Sequence, residues 1–262
     1  MPCERWRGAC HAWRIISNYR MSHQTHRGAA SQDSRLFAAA QLPILRTAAS
    51  DFCWLLDREY APRSALELVG NRYSLAARQR MAISRYACSQ LEAARRHERM
   101  IELTQLRGQE LWLDGYNVLT LIESALSGGV VLLSRDGCCR DIAGIHRRYR
   151  KVSETVPALR LVGEAVAAAG VSLSRWWLDK PVSNSGRLKT VIAETAKENG
   201  WNVEVELVFS PDHVLCHTEN PVATSDGVIL DRCRAWVNLA WEIIRQRVPD
   251  ANVVDLSKDA RA

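Results

Sequence analysis

Four aspartates stand at the ends of apolar segments that have the length and composition of buried β-strands. Asp114 follows LWL, Asp179 follows SRWWL, Asp212 follows VELVFSP, and Asp226 follows PVATS. In an open parallel sheet the carboxyl ends of the strands meet at one edge, and ligands bind there. Segments that are far apart in the chain therefore offer four carboxylates to a single site.

Carboxylates that are brought together repel one another, and a hard divalent cation with a preference for oxygen ligands relieves this repulsion. Mg²⁺ or Mn²⁺ is therefore the expected cofactor. Such an ion lowers the pKa of a coordinated water and stabilises the charge that develops on a phosphodiester during displacement. The pattern predicts metal-dependent phosphodiester hydrolysis.

A structural explanation also exists for each of these aspartates. Aspartate after a strand is a common turn former or helix N-cap, and for any single residue this explanation is the better one. Asp136 and Asp141, which flank the proposed hairpin SRDGCCRD, are further acids that could reach the same edge. The Asp-Gly turn accounts adequately for Asp136.

The second half of the chain alternates between strand and helix patterns, which predicts an α/β domain with a mainly parallel sheet flanked by helices over residues 110–250. The predicted elements are a strand in LWLDGYNVL that ends in a tight Asp-Gly turn, a helix that closes at Gly128 and Gly129, the hairpin VVLLSRDGCCRDI, the helix PALRLVGEAVAAAG, the strand VSLSRWWLDKP, a helix from Ser185 to Asn199, the strands VEVELVF and PVATSD, and closing helices through Trp236 and Trp241.

Residues 35–106 read as a small all-α domain. Leu45, Ala48 and Phe52 share one helical face, and a second helix is predicted to stop at Gly70. Ser89, followed three residues later by Glu92, has the spacing of a capping box at a helix start. Two predicted helices joined at a glycine are also compatible with a helix-turn-helix that reads DNA. A regulator that binds duplex DNA is therefore an alternative hypothesis.

The bulk properties indicate a globular chain of 262 residues with a net charge of +6, which is compatible with a polyanionic partner. No stretch has the ~20 apolar residues that a membrane helix needs, so no membrane partner is expected. The eight cysteines form no CxxC pair, which favours a reduced, cytoplasmic protein. Residues 1–34 are expected to form a disordered extension and residues 251–262 a C-terminal tail.

Basic side chains in the second half are candidates for contacts with nucleic-acid phosphates. One group lies in a helical stretch after the hairpin, and the other lies at the start of the helix that follows NSG, where a helix N-terminus favours phosphate. An exposed, solvated helix explains the first group equally well. The candidates are Arg147, Arg148, Arg150, Lys151, Arg187 and Lys189.

The aspartate motifs resemble those of PIN-like ribonucleases of the NYN branch. LWLDGYNVL is similar to the opening strand of that branch, whose DGYN motif places a metal-binding aspartate, here Asp114, beside Asn117. WWLDKPVSNSG looks like its second strand, with Asp179 as a supporting acid. SPDHVL looks like the acidic helix start after the third strand and puts Asp212 in the metal set. PVATSDGVILDR is similar to the threonine-x-aspartate signature, here Thr224 and Asp226.

The chain also resembles the uncharacterised prokaryotic family DUF-434, through ALELVGNRY in the helical half and the aspartate motifs of the second half. That family brings no activity of its own. One departure from the nuclease pattern is Leu215, which stands where a second acid often follows the one at Asp212. Asp231 could complete the set.

The expected function is that of a Mg²⁺- or Mn²⁺-dependent ribonuclease with Asp114, Asp212 and Asp226 as catalytic metal ligands. Asn117, Asp179, Thr224 and Asp231 are expected to support them. RNA is the preferred partner and DNA the alternative. A second hypothesis is a non-catalytic nucleic-acid-binding or regulatory protein that keeps the same scaffold, and the missing second acid favours it.

Overall fold

In the computed structural model, residues 28–142, 149 and 151–257 are described. Their helices are α1 (Asp33–Leu36), α2 (Leu42–Leu56), α3 (Pro62–Arg72), α4 (Ala77–Tyr86), α5 (Gln90–Arg99), α6 (Gly115–Leu126), α7 (Thr155–Ala168), α8 (Ser185–Asn199), α9 (Pro211–Cys216), α10 (Gly227–Leu230) and α11 (Leu239–Arg247). The strands are β1 (Glu110–Asp114), β2 (Val131–Leu133), β3 (Cys139–Asp141), β4 (Leu173–Asp179), β5 (Val203–Val208), β6 (Val222–Ala223), β7 (Trp236–Val237) and β8 (Val253–Asp255). None of the described helices is long and apolar enough to cross a lipid bilayer.

The larger sheet has five parallel strands in the order β5-β4-β1-β6-β7. Strand β1 lies at its centre, with Asp114 opposite Trp177 of β4 and Leu113 opposite Ala223 of β6. The chain adds β4 and β5 on one side of β1 and then returns to add β6 and β7 on the other. The prediction of a mainly parallel sheet flanked by helices is confirmed, and the reversal of strand order beside β1 creates a crevice at the carboxyl edge.

Alternate residues of each strand face opposite sides of this sheet. Leu113, Trp176 and Leu178 contribute to a core shared with α6, α7, α8 and α11. Trp112 and Trp177 lie on the other face and pack against the cluster formed by α9, α10 and β7. The two neighbouring tryptophans of β4 thus occupy opposite faces, as their alternation predicts.

The N-terminal helices share their core with a second, three-stranded sheet of order β3-β2-β8. Leu45 and Ile83 of the helices pack in the same cluster as Leu132 of β2 and Val254 of β8. The predicted helical region is therefore present, but its apolar faces are completed by strands from the second half. The hairpin of β2 and β3 is confirmed, with Gly137 in its turn at a positive φ of 77°.

Four details of the predicted secondary structure differ from the fold. Trp236, placed in a helix from the sequence, forms β7, because a two-residue strand gives too little periodicity to detect. Gly70 lies inside α3 rather than at its end, and a Cβ atom there would approach the Arg80 guanidinium to 2.4 Å. Gly115 forms no tight turn but begins α6 directly after Asp114. The strand predicted in PVATSD is limited to Val222–Ala223.

Gly115 lies so close to β4 that a side chain would collide with it. A Cβ atom would meet Leu178 Cδ2 at 2.5 Å and the Trp177 carbonyl oxygen at 3.0 Å. We expect Gly115→Ala to lower the free energy of unfolding by about 1–3 kcal/mol, the usual cost of overpacking. Gly186→Ala in α8, where a Cβ atom would have no neighbour within 4 Å, should leave stability unchanged or raise it. Equal stabilities of both variants in denaturant titrations would contradict this close approach.

Candidate metal centre

A cleft of about 690 Å³ opens at the carboxyl edge of the five-stranded sheet. The four aspartates identified from the sequence all line it, together with the hairpin residue Asp141: they are Asp114, Asp179, Asp212 and Asp226. They come from the ends of β1, β4, β5 and β6, which the parallel pairing brings side by side. The fold thus gathers the carboxylates from four distant segments of the chain.

Asp114 is the most deeply buried of the four strand-end aspartates, with 8% of its surface exposed. Its Oδ2 accepts a hydrogen bond of 2.8 Å from the Thr224 hydroxyl. The pKa of Asp114 is raised to about 7, chiefly by burial and also by the negative charges of Asp226, Asp212 and Asp179, while the Thr224 hydrogen bond lowers it. The carboxyl group at the centre of the cleft is therefore close to half-protonated at neutral pH.

The loop after β6 is held in place by a chain of short hydrogen bonds. Asn117 Oδ1 accepts from the Ser225 amide at 2.8 Å and from the Ser225 hydroxyl at 2.6 Å. Thr224 Oγ1 accepts from the Asp226 amide at 3.0 Å. The Asp226 carboxylate caps α10 by accepting from the Val228 amide at 2.8 Å. Asn117 and Thr224, both expected as supporting residues, therefore fix the loop that carries Asp226.

Asp179 and Asp212 form the more open side of the cleft. Burial raises the pKa of Asp179, and the charge of Asp212 raises it further. Burial likewise raises the pKa of Asp212, with an added contribution from Asp226. The pKa of each of these carboxyl groups is raised by the charge of another aspartate of the cleft, because the carboxylates lie close together.

Tyr116 adds an unpredicted polar group to the cleft wall. Only 5% of its surface is exposed, and within the described residues its buried hydroxyl has no hydrogen-bond partner. Burial raises the pKa of this phenol, as does the charge of Asp179. A buried hydroxyl without a partner is costly, so the cleft wall contains a buried donor for which no described residue is the acceptor.

Asp136 and Asp231 are used in a buried ion-pair network rather than in the cleft. Arg96 of α5 donates to both oxygens of Asp231 at 2.7 Å and to Asp136 at 2.8 Å. Arg140 of β3 donates to both oxygens of Asp136 and to the Ser225 carbonyl at 2.8 Å. The expectation that Asp231 completes the acidic set is thus not met, because its carboxylate pairs with Arg96.

The predicted phosphate-binding residues lie apart from the cleft or outside the described part of the chain. Arg187 and Lys189 are exposed on α8, and Lys151 is exposed ahead of α7. None of these three lines the cleft. The positions of Arg147, Arg148 and Arg150 lie outside the described residues.

Two further side chains beside the acids were missed by the sequence analysis. Arg85 of α4 lines the cleft from the helical part of the chain. Phe209 follows β5, is 75% exposed, and has the Lys180 ammonium 4.9 Å from its ring centre. Phe209 could have been noticed because it is an apolar residue three positions before Asp212. The sequence around Arg85 contains no motif that identifies it, because only tertiary packing brings α4 to the sheet edge.

The donor set fits a hard divalent cation in its chemistry, since five aspartates and two hydroxyl-bearing residues line one cleft. As the side chains stand, no group of three His, Cys, Asp or Glu residues in the described ranges is placed to hold one metal ion. Asp226 is turned towards the amides of α10, and Asp114 towards Thr224. Repulsion between carboxylates favours such a separated arrangement until a cation lies between them.

Comparison with known proteins finds relatives without assigned functions. Residues 103–242 match the family described as "Domain of unknown function (DUF5616)", and residues 44–99 match "Protein of unknown function (DUF434)". An uncharacterised protein of Methanocaldococcus jannaschii is 31% identical over 186 residues, which cover 71% of this chain and 88% of that protein. No solved structure matches the chain. The cleft aspartates at 114, 179, 212 and 226 fall in the first match, whereas Arg85 falls in the second.

The raised pKa of Asp114 predicts a pH dependence of stability in metal-free protein. Between the ordinary value of 3.8 and about 7, the folded chain retains a proton that the unfolded chain has released. Stability from this group is therefore full below pH 4 and is lost as pH rises through 7. Between these two pH values, the free energy of unfolding should fall by about 1.4 kcal/mol per pH unit. Asp114→Asn should remove this dependence on pH.

The measurement is denaturant unfolding of wild type and variant from pH 4 to pH 8 in a chelator. Asp250→Asn, a change at an exposed aspartate near the C-terminal end of the described chain, is the matched control and should keep the wild-type slope. Parallel curves for Asp114→Asn and wild type would show that Asp114 titrates at its ordinary pKa.

Proposed function

The chain belongs to the family of the domain of unknown function DUF5616, and we propose that its acidic cleft hydrolyses RNA phosphodiester bonds with Mg²⁺ or Mn²⁺. The observation that carries this proposal is the convergence of Asp114, Asp179, Asp212 and Asp226 on one cleft from four separate strand ends. Turn formation or helix capping can explain each residue singly, as for Asp226 at α10, but it does not explain why an acid follows each of four adjacent strands. A shared role for four carboxylates is ligation of a hard cation.

A PIN-like scaffold of the NYN branch is part of the proposal. In its favour are a parallel sheet with β1 at the centre and the strand order β5-β4-β1-β6-β7. The DGYN and threonine-x-aspartate motifs supply Asp114 and Thr224, whose side chains are hydrogen bonded to each other at 2.8 Å. Sequence motifs 110 residues apart that contact each other directly support a common origin of the site with those nucleases.

Asp114, Asp212 and Asp226 would hold the ion, with Asp179 as the supporting acid. When bound, the cation supplies a coordinated water of lowered pKa and neutralises charge on the phosphodiester. Asp114 must lose its proton to ligate, and its pKa of about 7 allows this at neutral pH. Thr224 orients the Asp114 carboxylate through its hydroxyl. Asn117 fixes the loop that carries Asp226.

The Tyr116 hydroxyl is buried in the cleft wall without a partner among the described residues, and we propose that it turns towards substrate when substrate binds. A phosphate oxygen in the cleft would satisfy this donor, and the strengthened contact with a more negative oxygen would stabilise the transition state. Water attacks directly in this scheme, so no covalent intermediate with the protein forms.

A non-catalytic nucleic-acid-binding or regulatory protein on the same scaffold is the second candidate. Leu215, which stands where related nucleases often have an acid, is fully buried in the α9 cluster. The core therefore uses this position for packing and cannot supply a further ligand there. Binding of RNA in gel shifts without Mn²⁺-dependent cleavage would favour this candidate over the first.

Replacement of the central acids tests the hydrolytic proposal. Asp114→Asn and Asp226→Asn should each lower Mn²⁺-dependent cleavage of RNA by at least about 100-fold, because each removes charge where the transition state needs it. Asparagine can still cap α10 and accept from Thr224, so thermal unfolding should stay cooperative. Asp250→Asn serves as the exposed control. Cleavage that persists in the double variant would rule out these residues as the catalytic centre.

Metal binding itself can be tested without substrate. Mn²⁺ at 100 times its Kd should stabilise the wild-type fold by about 2.7 kcal/mol, because the ion binds only the folded chain. The Asp114→Asn, Asp226→Asn double variant should show no such rise in Tm. Equal shifts in both proteins would place the bound ion elsewhere.

A further inference from the structure

Arg85 brings a positive charge from the helical region to the wall of the acidic cleft. It lies in the last turn of α4, which is fastened to the β2–β3 hairpin by two hydrogen bonds. The Ser134 hydroxyl donates to the Arg85 carbonyl at 3.1 Å, and the Arg135 amide donates to the Tyr86 carbonyl at 2.9 Å. These contacts fix the backbone from which the Arg85 side chain reaches the cleft.

The Arg85 guanidinium has no protein partner among the described residues. None of their ion pairs within 4.0 Å, and none of their side-chain hydrogen bonds, involves it. The neighbouring arginines on the same helix differ in this respect, since Arg78 pairs with Asp33 and Arg80 donates to the Leu75 carbonyl. A half-buried arginine beside five carboxylates is thus held near them without contacting any.

An unpaired guanidinium in such a place is suited to an anion that approaches the acids. A phosphodiester strand entering the cleft is repelled by the carboxylates, and a cation in the wall offsets this repulsion. Guanidinium presents two parallel N–H donors that match phosphate oxygens. The neighbouring carboxylates would instead attract a cationic ligand, but that ligand would be repelled by Arg85.

We propose that Arg85 binds a backbone phosphate of an RNA strand beside the scissile bond, so that the helical region forms part of the substrate site. This inference rests on the proposed function and adds a role for the segment matched by DUF434, which spans residues 44–99. The hydrolytic acids and the phosphate-binding cation then come from two different parts of the chain. Arg85 contributes to substrate binding, while water activation belongs to the acids.

The test measures binding separately from cleavage. Fluorescence anisotropy would follow a labelled single-stranded RNA of about twelve nucleotides, with Ca²⁺ as a hard cation for the acids, at several salt concentrations. A gel after each titration confirms that the strand is intact. The variants are Arg85→Ala, Arg85→Lys and, as the matched control, Arg63→Ala at an exposed position of α3.

Arg85→Ala should weaken binding at least about tenfold, the loss of one charge-assisted hydrogen-bonded contact. It should also reduce the slope of log K against log salt by about 0.7, the value for one phosphate of a single strand. Arg85→Lys should keep the slope but lose part of the affinity, and Arg63→Ala should match wild type. A nucleoside monophosphate should displace the strand only at large excess.

Equal affinity and slope for Arg85→Ala and Arg63→Ala would overturn the assignment of Arg85, whatever the cleavage assays show. Failure of the wild-type protein to bind the strand would overturn it as well. If the mononucleotide displaces the strand at equal concentration, the ligand of this site is a free nucleotide and the proposal of an RNA strand is wrong. A clear effect at Arg85 without Mn²⁺-dependent cleavage would instead reject hydrolysis and leave this phosphate contact in place.

Discussion

Repulsion between carboxylates at one sheet edge is the constraint on which the site depends. Burial, together with the charges of three other aspartates, raises the pKa of Asp114 to about 7, although Thr224 donates a hydrogen bond to it. Such a cluster lowers the stability of the metal-free protein at neutral pH. A cation bound between the acids would replace this repulsion with attraction, and the same carboxylates would then serve as its ligands.

The rest of the fold keeps that edge in place. The loop after β6 is fixed from one side by Asn117 and from the other by Arg140, which donates to the Ser225 carbonyl. Arg140 also pairs with Asp136, and Arg96 joins Asp136 to Asp231. Loss of one partner from a buried ion pair typically costs about 3–5 kcal/mol. One ion-pair network therefore joins helix α5, the hairpin and the loop that carries Asp226, and it links the helical region to the acids.

Local patterns in the sequence were enough to predict the parallel sheet and the aspartates at its edge, because strand ends and following acids are adjacent in the chain. The two-residue strand at Trp236 was missed because so short an element has no measurable period. The expectation for Asp231 failed because its partner, Arg96, is 135 residues away and belongs to another helix. Arg85 could not be found for the same reason. The meeting of the strand-end acids was predictable because the rule for parallel sheets applies to every strand end, whereas contacts between particular side chains of distant segments were not.

The central claim is that the edge acids form a divalent cation site, and the most direct measurement is a crystal structure of the full chain with Mn²⁺, read from anomalous scattering. We expect a single strong peak in the cleft, in contact with the carboxylates of Asp114 and Asp226 and with Asp212 close enough to complete the set. The Thr224 hydrogen bond to Asp114 should persist, while Asp226 turns from the amides of α10. A cleft without a peak at saturating Mn²⁺, or a peak at a distant surface site, would contradict the account.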